Sequence, residues 1–128
     1  MEYELWRELA LGMPGAYEDF PFGEDAAVFK IAVNGKSKAK MFGLLSHRFG
    51  LVSLNLKCDP ALAEQLRAAN EQITPGYHMN KKHWNTVVPG LPEDMMVDLI
   101  EDSYDLVIAS LPRAEQEALG WRGLVERG

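Results

Sequence analysis

Cysteine is nearly absent from this chain, and so is any long apolar run. Its 128 residues contain a single cysteine, Cys58, so no disulfide can form within the molecule. This excludes the small secreted class that disulfides hold together, and the cytoplasm is the expected compartment. No apolar stretch approaches the roughly 18 residues that a membrane span needs, and the acidic N-terminus differs from a signal peptide. We expect a soluble protein without membrane contact.

The motifs of the common enzyme classes are missing as well. The sequence contains no glycine-rich phosphate loop, no His-Glu-x-x-His pair, no paired cysteines and no Gly-x-Ser-x-Gly elbow. The chain is therefore not expected to be an enzyme, and neither a cofactor nor a metal ion is predicted. His78 and His83 lie five positions apart, so on a strand they would point to opposite faces and could not share a metal without a bend. Structural histidines are the preferred interpretation.

Negative charge dominates the chain but is unevenly distributed. Thirteen Lys and Arg residues stand against nineteen Asp and Glu residues, for a formal net charge of −6. Residues 1–25 and 93–128 each carry −6, whereas residues 26–92 carry +6. Positions 26–58 hold six Lys and Arg residues and no acid. An anionic partner is expected to bind this basic middle of the chain.

Residue patterning predicts helices at both ends of the chain and strands in its centre. A helix over residues 2–12 is followed by an extended edge segment from Tyr17 to Gly23, because the residue before a proline avoids the helical region. The clearest signal is Asn34-Gly35 between two β-prone runs, which predicts a two-residue hairpin. A turn around residues 47–50 leads into a third strand, so the basic segment is predicted to be an antiparallel meander.

The second half of the chain returns to helices. Asp59-Pro60 has the acidic cap and first-turn proline of a helix start, and the buried stripe of that helix is predicted to extend to Ile73. A fifth strand is predicted to end near Val88. Helical periodicity then continues to Pro112, with an interruption or new cap at Ser103.

This order of elements predicts an α+β sandwich. Its antiparallel sheet would have about five strands, with helices packed on one face and the other face open. Residues 1–112 are expected to form a single domain. Residues 113–128 are expected to form a C-terminal extension with a short helix and a weakly held tail.

Strict alternation assigns the faces of the meander. Phe29, Met41 and Leu54 belong to an apolar set that is expected to face the core. The open face would carry Lys30, Lys38, Lys40, Phe42, Ser53, Asn55 and Lys57. This face is either a binding platform or a solvated surface whose lysines prevent aggregation.

The most unusual stretch runs from Gly76 to Trp84 and reads Gly-Tyr-His-Met-Asn-Lys-Lys-His-Trp. It follows a turn signal and precedes a β-prone run, which predicts a polar corner at one end of the sheet. Asn80 is expected to bond backbone groups in this corner. Tyr77, His78 and His83 are assigned mainly structural roles. Trp84 either packs in the corner or lies on the open face.

Several segments together carry a family resemblance. They are Pro21-Phe22-Gly23, Asn55-Leu56-Lys57-Cys58-Asp59-Pro60, the run from Thr74 to Val87, and Ser103-Tyr104-Asp105-Leu106-Val107. Through them the chain resembles the YjbR/MmcQ family of small bacterial proteins over roughly residues 5–112. The resemblance implies an α+β sandwich with a frataxin/CyaY-like fold. It also implies DNA binding, with two hairpins acting as a double wing.

Two classes of function are compatible with these patterns. In the first, the chain is a non-catalytic DNA-binding protein that uses a basic sheet face and hairpin tips, with weak, salt-dependent binding of low sequence specificity. Its contact residues would be Lys38, Lys40, Arg48, Lys57, Lys81, Lys82 and Trp84. In the second, the same face binds an acidic protein or a small anion and has no nucleic-acid role. A monomer is expected in both cases.

Overall fold

The computed structural model describes residues 2–32, 39–76 and 79–120. The strands are β1 (Ala16–Asp19), β2 (Ala26–Ile31), β3 (Lys40–Ser46), β4 (Ser53–Lys57), β5 (Ile73–Pro75) and β6 (Trp84–Val87). The helices are α1 (Glu2–Leu11), α2 (Pro60–Ala69), α3 (Glu93–Ile108) and α4 (Arg113–Leu119). A short 3₁₀ turn, Arg48–Gly50, joins β3 to β4.

The strands form one antiparallel sheet in the order β1-β2-β3-β4-β6-β5. The predicted meander is confirmed, since β2, β3 and β4 are consecutive neighbours. β1 is an edge strand, as predicted, although it ends at Asp19 and does not extend to Gly23. The predicted Asn34-Gly35 turn lies outside the described residues, as do residues 121–128 of the predicted tail.

The helices cover one face of the sheet and enclose a single apolar core. Trp6 of α1, Leu54 of β4 and Ile100 of α3 all belong to it and are almost fully buried. Leu119 of α4 packs against the same core. The predicted α+β sandwich is therefore confirmed, and the opposite face of the sheet is left without a covering layer of described residues.

Helix α2 is shorter than predicted. It ends at Ala69, where the side-chain amide of Asn70 donates to the Leu66 carbonyl at 3.0 Å and the chain turns extended. Ile73 is buried in the edge strand β5, so its assignment to the helical stripe was wrong. This turn back to the sheet adds a sixth strand to the five that were expected.

A β-bulge in β3 reverses part of the predicted face assignment. Phe29 of β2 lies opposite Gly43 and Lys30 lies opposite Met41, so Phe42 is an extra residue in β3. Phe42 consequently points into the core, where it is fully buried, and Met41 points to the open face. Lys40 lies opposite the buried Ile31 on the helix-covered side, and its Nζ donates to the Ser110 hydroxyl at 3.1 Å. The predicted faces of Lys40, Met41 and Phe42 were wrong.

Ser103 bridges the strands at the place where the bulge interrupts their ladder. The last regular pair of β3 and β4 is Gly43 with Leu56. Beyond it, the Lys57 N–H donates to Ser103 Oγ at 2.8 Å, and the Ser103 hydroxyl donates to the Phe42 carbonyl at 2.6 Å. Helix α3 runs through Ser103 without a break, so the predicted interruption is wrong and the serine is a connection between helix and sheet.

None of the helices in residues 2–32, 39–76 and 79–120 is long and apolar enough to cross a bilayer.

Candidate binding groove on the open sheet face

The open face of the sheet contains a groove of about 780 Å³. Its floor follows from cross-strand pairing, because Leu44, Asn55 and Thr86 are neighbours on β3, β4 and β6 and point to the same side. Met41 of β3 and Met79, which precedes β6, line the same groove and give it flexible apolar side chains. The groove therefore crosses the middle of the sheet from β6 towards β2.

Exposed apolar side chains form the rim at the other end of the groove. Phe49 is 93% exposed, Leu51 72% and Phe22 65%, and all three line the groove. Phe49 also has a positive φ of 57° in the turn between β3 and β4, a conformation that bulky residues rarely adopt. The fold thus keeps this ring in solvent although the backbone conformation of Phe49 is energetically unfavourable. A contiguous set of such side chains typically marks a contact surface.

Polar side chains occupy the floor between these apolar walls. Ser46, Ser53, Asn55 and Thr86 all line the groove. The Thr86 hydroxyl donates to Asn55 Oδ1 at 2.5 Å, which fixes the orientation of the amide. An apolar groove with a few oriented polar groups is the usual composition of a ligand site.

Most cations described for the meander either pair with a carboxylate or lie off the open face. Lys30 donates to Asp19 Oδ2 at 3.0 Å, and this ion pair lowers the pKa of Asp19 and raises that of Lys30. Arg48, at the rim of the groove, lies 3.3 Å from Asp25 Oδ2. With Lys40 on the helix-covered side, the cations described for the meander do not form the uniformly basic face that alternation predicted.

One end of the open face does collect positive charge. Lys57 and Trp84 are cross-strand partners, and alternation with Asn55 and Thr86 places both on the open face. Lys81 and Lys82 are exposed in the loop that leads into β6. The described part of this loop begins at Met79, which lines the groove. Lys57, Lys81, Lys82 and Trp84 are called the basic end below. Of the other predicted site residues, Lys38, Tyr77 and His78 lie outside the described residues.

The loop of residues 79–84 is fixed by hydrogen bonds. The Asn80 side chain accepts from the Lys82 N–H at 3.0 Å, which confirms the predicted backbone contact of this residue. His83 is half-buried, and its carbonyl accepts from the Cys58 N–H at 2.8 Å. Gly76 is required beside this loop, because a Cβ there would lie 2.8 Å from Trp84 Cβ. Asn80 thus has an architectural role through its side chain, and His83 contributes to the same loop through its backbone.

Arg67 of α2 is a positioning residue that sequence patterns did not indicate. Its Nε donates to Asn85 Oδ1 at 2.7 Å, and its terminal nitrogen donates to the carbonyls of Lys81 and Trp84. A charged side chain in a helix usually indicates a solvated face, so its role becomes visible only when helix and loop are placed together. Arg67 fixes the backbone that carries the basic end.

Replacing Arg67 by methionine is expected to lower the free energy of unfolding by about 2 kcal/mol, because charge-assisted bonds to three acceptors are lost. Urea titration followed by circular dichroism would measure this change. Arg113→Met is the control, since Arg113 is 91% exposed and bonded only to Glu117 in the same helix among the described contacts. Equal stability of the two variants would contradict the anchoring role of Arg67.

Cys58 is not activated as a nucleophile. The side chain is buried, and burial, together with the nearby Asp102 and Asp59, raises the pKa of its thiol. No group of three His, Cys, Asp or Glu side chains that could hold a metal ion is found among the described residues. The groove therefore offers contacts for a ligand and, within the described part of the chain, no evident reactive group of its own.

The acidic residues are concentrated on the other side of the molecule. Twelve of the nineteen Asp and Glu residues lie in the four helices, which contain only three arginines and no lysine. Strands β2 to β6 contain three lysines and no acid. The negative net charge is thus mainly a property of the helical layer, and the open face is close to neutral with a basic end.

Comparison with known proteins identifies relatives over most of the chain. The YjbR family model matches residues 11–106. The uncharacterised protein YbdF of Escherichia coli O157:H7 is 39% identical over 117 residues, which are 90% of this chain and 91% of YbdF. The uncharacterised protein YyaQ of Bacillus subtilis is 34% identical over 102 residues, covering 72% of this chain and 86% of YyaQ.

Solved structures have the same fold. The crystal structure of Deinococcus radiodurans protein DR2400 has a TM-score of 0.80 at 37% identity and covers 89% of this chain and 84% of its own. A crystal structure of a Pseudomonas syringae protein has a TM-score of 0.69 at 31% identity, covering 83% of this chain and 98% of its own.

Proposed function

The chain belongs to the YjbR family, and we propose that it is a non-catalytic nucleic-acid-binding protein whose open sheet face holds a single strand. The observation that carries the proposal is the composition of this face, which has an apolar and aromatic groove with a polar floor. Lys57 follows the floor residue Asn55 on the same face, and the exposed Lys81 and Lys82 follow Met79 of the groove in the chain. Proteins that bind single strands combine stacking side chains with cations that follow the backbone.

A single strand fits this face better than a duplex. Duplex binding depends on many phosphate contacts, whereas Lys30 and Arg48 are already paired with carboxylates and Lys40 lies on the helix side. A single strand exposes its bases, which would pack against Phe22, Phe49 and the methionines of the groove. Its phosphates would then lie along the basic end.

The acidic net charge does not oppose this arrangement at close range. Most carboxylates lie in the helical layer, on the far side of the sheet from the groove. Charges separated by more than about 8 Å are largely screened at physiological salt. The bound strand would therefore interact mainly with the near-neutral groove and its basic end.

Binding of a single strand is expected to depend on salt with a log–log slope of roughly −2, because three lysines would each displace one counterion. Fluorescence anisotropy of a labelled random single strand and of its duplex, titrated at several salt concentrations, would measure this slope. The single strand is expected to bind more tightly than the duplex at every salt concentration.

Lys57→Gln and Lys40→Gln form a matched pair for this experiment. Both remove one positive charge at the same end of the sheet, but only Lys57 is on the open face. Lys57→Gln is expected to make the slope about 0.7 less negative, and Lys40→Gln is expected to leave it unchanged. Equal effects of the two changes would contradict a site on the open face. Absence of binding to any nucleic acid at ~20 mM salt would remove the proposal and favour a protein-interaction module.

A further inference from the structure

Asn55 is a buried polar residue at the centre of the groove floor. It lies on β4 between Leu44 of β3 and Thr86 of β6, and it is only 5% exposed. Buried amides are almost always hydrogen-bonded on both their oxygen and their nitrogen.

Only the oxygen of this amide has a partner among the described residues. Asn55 Oδ1 accepts from the Thr86 hydroxyl at 2.5 Å. No bond of the amide nitrogen to any described residue is found, although Asn55 lines the groove. Because Thr86 holds the oxygen, the amide presents its two N–H donors to whatever occupies the groove. The nitrogen is not one of the fully enclosed polar atoms that lack a partner, so it is accessible from the groove, and an acceptor on an occupant can bond to it.

We propose that Asn55 is a specificity-determining residue that donates to the carbonyl oxygen of a nucleic-acid base lying in the groove. This inference rests on the proposed function, since it names the feature of the strand that the same groove selects. Thymine and uracil carry such oxygens at C2 and C4, cytosine at C2, and guanine and hypoxanthine at C6. Adenine carries an amino group at the corresponding position, and its N–H groups would meet the donors of Asn55. The preference is modest and agrees with low overall sequence specificity.

Hypoxanthine and adenine provide a matched pair of ligands. They have nearly the same size and differ along one edge, where hypoxanthine has a carbonyl oxygen at C6 beside an N1–H donor and adenine has an amino group at C6 beside an N1 acceptor. Two labelled oligonucleotides of equal length would carry one or the other base at alternate positions, with abasic residues between them. The wild-type protein is expected to bind the hypoxanthine strand roughly three- to ten-fold more tightly, which corresponds to one net hydrogen bond. A fully abasic strand would report the contribution of the phosphates alone.

Two variants locate the preference at the amide. Asn55→Asp replaces the donors by acceptors and is expected to abolish or reverse the preference for hypoxanthine. Thr86→Val releases Asn55 Oδ1 and is expected to reduce the preference, because the amide could then turn its oxygen towards adenine. Melting temperatures would show whether both variants are folded. If either is unfolded, the comparison of the hypoxanthine and adenine strands on the wild-type protein still tests the preference.

The outcomes separate this inference from the proposed function. Equal affinity of the wild-type protein for the two base-bearing strands, with weaker binding of the abasic strand, would overturn the role of Asn55 and leave single-strand binding intact. An unchanged preference in folded Asn55→Asp would also overturn it. No binding of any strand would remove both proposals.

Discussion

Replacing Phe42 by alanine is expected to lower the free energy of unfolding by about 4 kcal/mol. The Phe42 ring is fully buried, with its centroid 6.2 Å from that of Phe29 and 5.4 Å from that of Tyr104 in an edge-on arrangement. Truncation would remove both aromatic contacts and leave a cavity in the core. Urea titration followed by circular dichroism would measure the change.

Phe49→Ala is the control for this prediction, since it makes the same chemical change at a ring that is 93% exposed. Its free energy of unfolding is expected to stay within about 0.5 kcal/mol of the parent value. Its affinity for a single strand, in contrast, is expected to fall about ten-fold through loss of a stacking surface. Equal stability of the two variants would mean that the bulge does not turn Phe42 inward.

Replacing Ser103 by alanine is expected to lower the free energy of unfolding by about 3 kcal/mol, because two buried backbone groups lose their partner. One hydroxyl serves both the Phe42 carbonyl and the Lys57 N–H, and Ser103 is fully buried. The bond to Phe42 is buried and the bond to Lys57 is partly buried, and a buried group left unpaired costs about 1–3 kcal/mol. The same urea titration would measure the loss.

Ser110→Ala provides the comparison for Ser103, because Ser110 is exposed at the end of α3 and bonds to Val107 and Lys40. Its effect is expected to be small, since solvent replaces the hydroxyl. Hydrogen exchange adds a second test, as the Lys57 amide is expected to lose protection only in Ser103→Ala. A stable Ser103→Ala variant with a protected Lys57 amide would show that the ladder closes without the serine.

Hydrophobic alternation predicted much of the fold, because most strands follow it without interruption. Leu54 and Leu56 alternate regularly with Ser53, Asn55 and Lys57, and β4 has the predicted faces. Alternation failed in β3 because one inserted residue exchanges the faces over positions 40–42. Gly43 follows the inserted residue and packs closely on Phe29, since a Cβ there would lie 3.2 Å from the Phe29 ring. A glycine within a strand is equally typical of a sharp bend or of a close backbone approach, so it does not predict a bulge by itself.

The candidate site was only partly visible in the sequence. Lys57 was predicted on the open face and lies there. For Trp84 the sequence left two alternatives, packing in the corner or lying on the open face, and its cross-strand pairing with Lys57 indicates the open face. Arg48 was predicted to be a free cation but pairs with Asp25. This pairing depends on the packing of the β3–β4 turn against the start of β2, which the sequence pattern does not show. The groove was not predicted, because it depends on Met41 pointing outward and on the turn that leaves Phe49 exposed. Such features follow from local irregularities that periodicity does not register.

The segregation of charge between the two layers gives the molecule an electric dipole moment along the normal of the sheet. Among the described residues, its negative pole lies in the helices, which carry twelve carboxylates, and its positive pole lies at the basic end with Lys57, Lys81 and Lys82. A polyanion that comes within a Debye length would exert a torque that turns the open face towards it. The net negative charge of the protein would still repel the polyanion and lower the rate of encounter. The encounters that occur would begin with the groove facing the polyanion.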